Sequence, residues 1–156
     1  CYVVSGDLWG GAEAQAFQLV RCMLDKNYQV YVITLNKGLL FEKLSQLPVV
    51  VSCFDETTVS MWSAILKIRS FLSKNKINLV HSHGFKENLL SGIACKLFIR
   101  CRVFRTHHGR GVVDGRLSKV LIEKLNAHLL SDQMIAVSHD LKTYLMEHGY
   151  PAHKIE

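Results

Sequence analysis

The sequence predicts a doubly wound α/β fold, with a mainly parallel sheet and helices on both of its faces. Short β-branched runs alternate with longer segments of helical periodicity along all 156 residues. The strand-like runs are continuously apolar, a pattern typical of strands that are covered on both faces and therefore parallel. No repeat, linker or low-complexity segment interrupts this alternation, so we predict a single domain over residues 1–156.

Six runs are predicted as strands because they are short and rich in β-branched and apolar residues. They are Tyr2–Val4, Gln29–Thr34, Val49–Ser52, Asn78–His81, Arg102–Arg105 and Gln133–Val137. The segments between them are predicted as helices, which right-handed crossovers would place against the sheet. The carboxyl ends of the strands then meet at one edge, where ligands bind in this fold class.

Two of the predicted helices carry an apolar stripe at helical spacing. The first stripe comprises Met61, Ile65, Ile68 and Leu72, and the second comprises Leu117, Leu121, Leu125 and Leu129. We expect both stripes to pack into the core. The last helix has boundary signals of its own: Ser138 is the predicted N-cap, Gly149 suits the residue after the C-terminus, and Pro151 prevents continuation.

The formal net charge of +6 favours an anionic partner. The bases form two groups: Lys67, Arg69, Lys74 and Lys76, and then Arg100, Arg102, Arg105, Arg110, Arg116, Lys119 and Lys124. Nucleic acid is disfavoured because no aromatic residues are interleaved with these bases and no nucleic-acid motif is present. Three explanations of the basic charge remain: a phosphorylated substrate, an anionic membrane surface, or simple solvation of a helix face. No apolar run reaches the roughly 18 residues of a membrane span.

The cysteines bear on the compartment. There are five of them, at positions 1, 22, 53, 95 and 101. Their odd number and the absence of a C-x-x-C pair favour reduced thiols, and hence a cytoplasmic protein. The chain starts at Cys1 instead of Met, so the sequence leaves open what precedes this residue.

The pair Gly10-Gly11 closes a glycine-bearing loop between the first strand and a helix that begins at Ala12. Unpaired N–H groups and the positive end of the helix dipole meet at such a turn, which makes it a seat for phosphate. The missing side chains would let a ligand approach the backbone, whereas a branched residue at Gly11 would block the ligand and disfavour a positive φ. Alternatively, the two glycines serve only the turn.

Two common nucleotide motifs are absent. The glycine spacing is Gly6-x-x-x-Gly10-Gly11, and the second strand ends in Thr34-Leu35-Asn36-Lys37 without a carboxylate for a ribose, which disfavours a dinucleotide site. No Gly-Lys-Ser/Thr follows a glycine loop, which excludes a Walker-type phosphate site. The sequence also has no Asp-x-Asp, the metal–diphosphate anchor of another transferase architecture.

Two histidine loops directly follow predicted strands. The first is His81-Ser82-His83-Gly84, and the second is Thr106-His107-His108-Gly109. Parallel strands would bring both loops to the edge that carries Gly10-Gly11. His108 extends further from its strand than His107 does and is the predicted functional histidine, whereas His81 is predicted to be packed and hydrogen-bonded.

The surroundings of the second loop admit two further interpretations. Arg105 and Arg110 flank His108 and either hold anionic groups or are solvated. A metal site is an alternative, because two histidine loops are a source of ligands. The carboxylates that usually complete such a site are missing nearby in the sequence, so we expect no metal.

Four segments, in order and at natural spacings, resemble family 4 glycosyltransferases, which are retaining enzymes of the GT-B fold. The first is Gly10-Gly11-Ala12-Glu13, with its apolar helix and the strand in residues 28–34. Residues 78–84 are similar to the family's D-x-V-H-x-H segment. Residues 104–109 resemble its strand and His-Gly loop, and residues 135–138 resemble its x-x-V-S strand.

The resemblance implies a Rossmann-like N-terminal domain that binds the acceptor and faces a second domain holding most of the nucleotide-sugar donor. In the family, the glycine loop approaches the donor diphosphate and the histidine of the His-Gly loop contacts the transferred sugar. These roles fall on Gly10, Gly11 and, as the catalytic residue, His108. The residues assigned to the cleft lining or the acceptor site are His83, His107, Arg110 and Ser138. The Glu-x7-Glu donor motif of the second domain is absent from this chain.

The leading hypothesis is therefore the acceptor-side half of a glycosyltransferase, inactive on its own. It would take a sugar from a UDP- or GDP-linked donor, without a metal, to a glycan or lipid-linked acceptor in cell-envelope polysaccharide or lipopolysaccharide synthesis. The enzyme would be cytoplasmic and peripheral to the inner face of an anionic membrane. The alternatives are one half of a non-hydrolysing sugar-nucleotide epimerase and a non-catalytic domain that binds sugars or anions.

Overall fold

The computed structural model describes residues 1–6, 9–110 and 117–156, and in this part of the chain a parallel sheet of six strands is flanked by helices. The strands are β1 (Tyr2–Val4), β2 (Tyr31–Thr34), β3 (Val50–Cys53), β4 (Leu79–Ser82), β5 (Arg102–His107) and β6 (Gln133–Ala136). The helices are α1 (Gly11–Asp25), α2 (Leu39–Ser45), α3 (Met61–Lys74), α4 (Phe85–Ala94), α5 (Leu117–Leu125) and α6 (His139–Glu147). Arg116 and the side chain of Leu117, both named above, lie outside the description.

The predicted fold class and all six predicted strands are confirmed, with the strand order β3-β2-β1-β4-β5-β6 and parallel pairing throughout. The chain builds the sheet outward from β1 to β3 and then returns to place β4 on the other side of β1. Such a reversal opens a crevice beyond the carboxyl ends of the two central strands. The fold therefore positions a site at the ends of β1 and β4.

The strand β5 is longer than predicted. Its last two residues, Thr106 and His107, pair in register with Ile135 and Ala136 of β6. Because the ladder continues, His107 is a strand residue and only His108 begins the loop.

Both faces of the sheet are covered, as the continuously apolar strands predict. Val3, Val80 and Val103 pack with α3 and α4 in one core cluster. The alternate strand residues Tyr2 and Val4 pack with α1 and α2 in a second cluster on the other face. A smaller third cluster joins β6 to α6. Successive side chains of a strand point to opposite faces, which is why each short strand serves two cores.

The prediction that both apolar stripes are core is right for one helix and wrong for the other. In α3, Ile65, Ile68 and Leu72 are fully buried, although Met61 at the first position is about half exposed, at 51%. In the second stripe, Leu121 and Leu129 are 61% and 65% exposed. Leu125 is likewise exposed.

The reason lies in polar partners that the stripe does not reveal. Helix α5 and the π-helical turn that follows it turn Glu123, Asn126 and Ala127 inward. Glu123 pairs with the buried Arg105 and Asn126 accepts a hydrogen bond from Asn88, so both need partners on the inner side. An unpaired buried charge costs far more than an exposed leucine, and the leucines therefore face outward.

The boundary signals of the last helix are confirmed. The Ser138 hydroxyl oxygen accepts a hydrogen bond from the Leu141 N–H at 3.2 Å. Gly149 has φ of +80°, and the following Tyr150 N–H donates to the Leu145 carbonyl at 3.1 Å. This is the left-handed turn that glycine permits after a helix. It matters for the site because it places Tyr150 against β5.

The cysteines and the helix lengths can be compared directly with the sequence. All five cysteines are free thiols, with Cys95 and Cys101 buried. None of the described helices combines the length and the apolar content that a membrane crossing requires.

Candidate active site

The two histidine loops meet at the carboxyl edge of the sheet, as predicted. A hydrogen bond of 3.1 Å joins His83 Nδ1 to His108 Nε2, and the two rings stack with centroids 5.3 Å apart. Hydrogen positions decide which nitrogen donates. The contact bridges residues 25 positions apart in sequence, so it fixes the second loop against the first.

The inner histidine of each loop is packed rather than free. His81 Nε2 lies 2.8 Å from Thr106 Oγ1, a hydrogen bond between β4 and β5 that fits the predicted structural role. His107 is only 5% exposed, and its ring packs edge-on against Tyr150 with centroids 5.5 Å apart. Both side chains therefore hold the two loops in place.

Burial keeps this cluster uncharged at neutral pH. It lowers the pKa of His81 to about 4 and the pKa values of His83 and His107 to about 3, and repulsion from neighbouring bases adds to the effect. Burial also lowers the pKa of His108, while the nearby Glu13 carboxylate acts in the opposite direction. A neutral imidazole donates one hydrogen bond and accepts another, which suits sugar hydroxyls as well as phosphate oxygens.

The glycine turn lies beside these loops. Helix α1 begins at Gly11, and Gly10 is its N-cap with φ of −126°. The expectation of a positive φ at Gly11 is wrong, because the residue opens the helix and Gly149 is the glycine with a positive φ in the described part of the chain. A Cβ at Gly11 would meet no atom of the described residues within 4 Å, so the glycine leaves open space in front of the backbone.

Glu13 is a residue of this turn that the sequence-based assignment of roles missed. Its Oε2 accepts a hydrogen bond from the Gly10 N–H at 3.0 Å. Its carboxylate is thus placed at the positive end of α1, where a negative charge is stabilised. The capping signal was visible in the sequence as Glu three residues after the N-cap position.

Arg105 is buried, so the interpretation that it is solvated is wrong, and it is paired with a carboxylate of the chain itself. Its guanidinium Nη1 lies 2.6 Å from Glu123 Oε1, and the two side chains are 6% and 3% exposed. The Tyr150 hydroxyl donates to the same carboxylate oxygen at 2.7 Å. These three buried side chains join β5 to α5 and to the segment after α6, next to the start of the second histidine loop.

A second buried polar network joins β4 to the region after α5. The Ser82 hydroxyl donates to Asn88 Oδ1 at 2.7 Å. The Asn88 amide donates to Asn126 Oδ1 at 2.6 Å and to the Ser131 hydroxyl at 2.9 Å. All four side chains are buried, and satisfied networks of this kind rigidify their surroundings.

Arg110 and Ser138 lie at the rim of the same edge. Arg110 is exposed, 3.3 Å from Asp140, and its guanidinium lies 4.9 Å from the centroid of the Tyr144 ring. It also lines a cavity of about 150 Å³ with both loops. Ser138 is exposed and its hydroxyl caps α6. Among the described residues, no three His, Cys, Asp or Glu side chains are grouped as metal ligands.

Three solved structures share this fold over 99% of the chain. HepE of Anabaena with UDP-glucose has a TM-score of 0.81 at 16% identity. The UDP-GlcNAc 2-epimerase of Methanocaldococcus jannaschii, with UDP-GlcNAc and UDP, has 0.75 at 17%. The lipopolysaccharide outer core galactosyltransferase WaaB has 0.69 at 14%. The chain covers 42%, 44% and 44% of these proteins, respectively, which is less than half of their length.

Sequence comparison identifies the family. No curated protein sequence matched the chain. The profile described as Glycosyltransferase Family 4 matches residues 9–156, a range that includes the Gly10-Gly11 pair and both histidine loops. The structure accordingly has the architecture of one half of a GT-B enzyme, and the chain belongs to glycosyltransferase family 4.

Proposed function

We propose that the chain is the acceptor-side half of a retaining glycosyltransferase that moves a sugar from a nucleotide diphosphate to a glycan or lipid-linked acceptor. The observation that carries this proposal is the meeting of His83 and His108 beside the first turn of α1. That arrangement presents neutral hydrogen-bonding groups next to exposed backbone N–H groups. Positioning and charge stabilisation of this kind are what a transferase needs from such a half.

The donor would lie with its diphosphate at Gly10 and Gly11 and its sugar at His108. Gly11 is exposed, with open space before it, which supports close approach of a phosphate. The structures of HepE contain UDP or UDP-glucose, which supports a UDP-linked donor for this chain, with a GDP-linked donor as the other candidate. We assign no metal to the reaction.

The acceptor would lie on the side of His83, His107, Arg110 and Ser138. WaaB is a lipopolysaccharide outer core galactosyltransferase, and this supports an acceptor from cell-envelope polysaccharide or lipopolysaccharide synthesis. His107 ends β5, and the other three residues follow β4, β5 and β6 at the same edge of the sheet. An acceptor held there would face a donor placed at the first turn of α1.

We also propose that the enzyme works in the cytoplasm, at the inner surface of an anionic membrane. Lys67, Arg69, Lys74 and Lys76 are all exposed on or just after α3. Each base near an anionic membrane surface contributes roughly 1 kcal/mol, which salt screens. Trp62 at 61% and Leu66 at 51% are exposed apolar side chains of the same helix and add area for contact with lipid.

A transfer assay tests the proposal. The enzyme carrying its donor-binding half should release UDP or GDP from a nucleotide sugar and attach the sugar to an acceptor with retention of the anomeric configuration. The 156-residue chain alone should do neither, because its structural relatives are more than twice as long. Turnover of a nucleotide sugar by this chain alone would contradict its assignment as half of an enzyme.

A second candidate function is favoured by one observation. The structural relatives include UDP-GlcNAc 2-epimerases, with TM-scores up to 0.75. An epimerase would convert UDP-GlcNAc into its 2-epimer without needing an acceptor, so the product of an incubation with UDP-GlcNAc separates the two activities. A non-catalytic domain that binds sugars or anions would give neither product.

A further inference from the structure

A cavity of about 250 Å³ opens at the carboxyl end of β1, between the first turns of α1 and α4. Its wall includes Gly6, Ala12 and Leu40, and its polar atoms come chiefly from Glu13, Glu87 and His83. The volume is below the range of about 300–1,000 Å³ that holds drug-sized ligands. The cavity therefore suits one small group, about the size of a single sugar ring.

The two carboxylates reach the cavity through the same local device. Glu13 and Glu87 are each the third residue of a helix that follows an N-cap glycine, Gly10 or Gly84. In each turn the carboxylate lies over the glycine, so that a Cβ on either glycine would contact it closely. Because both N-cap residues are glycines, each leaves the space that the carboxylate of its helix occupies.

Two polar groups on the cavity wall keep hydrogen-bonding capacity that the described part of the chain does not use. Glu87 is only 8% exposed; its carboxylate accepts a hydrogen bond from its own backbone N–H, and among the described residues it forms no ion pair and accepts no hydrogen bond from another side chain. The buried Nε2 of His83, which also belongs to a wall residue, has no hydrogen-bond partner among the described residues. Buried polar groups are almost always paired, so unused capacity in residues that line a cavity points to a missing ligand.

The charge of the cavity selects among ligands. Among the described residues, no lysine or arginine lines it. Of the bases nearby, Lys86 pairs with Glu56 and Arg105 pairs with Glu123. Burial raises the pKa of Glu87, which shows that this environment already resists negative charge. Carboxylates accept hydrogen bonds from hydroxyls and repel a phosphate held inside the cavity. The described lining of the cavity does not include Gly10 or Gly11, so the donor diphosphate proposed for that turn lies outside it.

We propose that this cavity binds one sugar ring of the acceptor that bears no negative charge, with its hydroxyls donating to Glu13 and Glu87 and its ring beside His83. A ring carrying a phosphate or carboxylate is excluded by the same two side chains. This inference rests on the proposed function, because the cavity is taken as part of the acceptor site. It adds a substrate class and two specificity-determining residues.

Binding of monosaccharides without any donor tests the inference. The probes are glucose, galactose and mannose, each compared with its 6-phosphate, and the readout is the backbone amide NMR shifts of Ala12, Ala16 and neighbouring residues. We expect at least one neutral hexose to bind with a Kd below about 10 mM and its 6-phosphate to bind at least tenfold more weakly. Glucosamine, which is cationic, should bind at least as tightly as glucose.

Substitutions identify the carboxylates as the cause. The double variant Glu13→Gln with Glu87→Gln keeps the shape of the wall, and in it the tenfold difference between hexose and hexose phosphate should vanish. Glu42→Gln is the matched control, because Glu42 is an exposed acidic residue in the first turn of α2 that does not line the cavity. This variant should keep the full difference. Thermal unfolding of each variant verifies that the fold is intact.

Three results would overturn the inference: no neutral hexose binds, a 6-phosphate binds as tightly as its hexose, or the difference persists in the double variant. The proposed function is tested separately, by transfer from a nucleotide sugar. A protein that transfers sugar but shows any of these three results retains the proposed function and loses the acceptor assignment. A protein that shows the expected binding but transfers nothing loses the proposed function alone.

Discussion

The two histidine loops have the same layout, an inner histidine packed in the sheet and an outer histidine at the edge, but they differ in exposure. In the β4 loop, His81 and His83 stack with ring centroids 4.6 Å apart, and both pKa values are strongly lowered. In the β5 loop, His107 ends the strand and is buried, while His108 comes one residue later and is more accessible.

The difference teaches that the role of a histidine here depends on where its strand ends. β5 extends two residues beyond the predicted end because its ladder with β6 continues, which buries His107 and leaves His108 as the first free position. The β4 loop instead supports the β5 loop through the contact between His83 and His108. We therefore expect the β4 loop to govern stability and His108 to govern catalysis.

The largest expected effect is loss of stability in acid. The folded-state pKa values of His81, His83 and His107, at about 4, 3 and 3, lie below the unfolded value of about 6.5. The unfolded chain therefore binds more protons below pH 6.5, so the free energy of unfolding is full above that pH and falls as the pH drops towards these values. Each such histidine contributes a slope of about 1.4 kcal/mol per pH unit.

Urea unfolding from about pH 7 to pH 5 measures this slope. The variant His83→Gln, which cannot take up the proton, should have a shallower slope than the wild type. A free energy of unfolding that stays constant over this range would show that the histidines are not buried as described.

The second effect concerns catalysis in the enzyme carrying its donor-binding half. His108→Ala should lower kcat about 100-fold, or about 2.7 kcal/mol, if the contact of this histidine strengthens in the transition state. His81→Ala is the matched control: it removes the hydrogen bond to Thr106 and should destabilise the fold by about 1–3 kcal/mol with little change in kcat. An unchanged kcat in a folded His108→Ala variant would refute the distinction between the loops.

A third prediction separates the histidine loops from the glycine turn. Gly11→Val should fold, because a Cβ there has open space and the backbone does not need a positive φ. The added side chain should nevertheless lower donor affinity at least tenfold by standing where the diphosphate approaches. Calorimetry with UDP measures the affinity, and Gln15→Val, at an exposed position of the same helix, is the control. Wild-type affinity in Gly11→Val would exclude the turn from the donor site.

The smallest effect involves the surface far from both loops. Replacing Lys67, Arg69, Lys74 and Lys76 by Glu should weaken binding to anionic liposomes, by roughly 1 kcal/mol for each base at low salt and less at high salt. Activity on a soluble acceptor should not change. Sedimentation with anionic and neutral liposomes measures the effect, and equal partition onto both, or onto neither, would leave these bases as ordinary solvated charges.

Much of the fold and part of the site could be predicted from the sequence because the signals are local. Continuous apolar strands gave the parallel sheet, and the position of a loop after its strand gave the meeting of His83 with His108. The orientation of α5 could not be predicted. It depends on the pairing of Glu123 with Arg105, 18 residues away, and the spacing of the leucines does not indicate that contact.

The polar side of the site was also hidden from sequence reasoning. In the sequence, Glu13 and Glu87 look like ordinary acidic residues in the first turn of a helix, where a negative charge interacts favourably with the positive end of the helix dipole. Only the packing of the two helix starts against one cavity shows that both carboxylates line it. Burial of Arg105 could not be predicted either, because its partner Glu123 lies 18 residues further along the chain, on α5.

The most direct test of the central claim, that sugar transfer takes place where the two histidine loops meet beside the first turn of α1, is a crystal structure of the whole enzyme with an intact nucleotide sugar. We predict that the donor diphosphate lies against the backbone of Gly10 and Gly11 and that the sugar forms a hydrogen bond with His108. A donor bound with its sugar in contact with neither His108 nor the first turn of α1 would contradict the account.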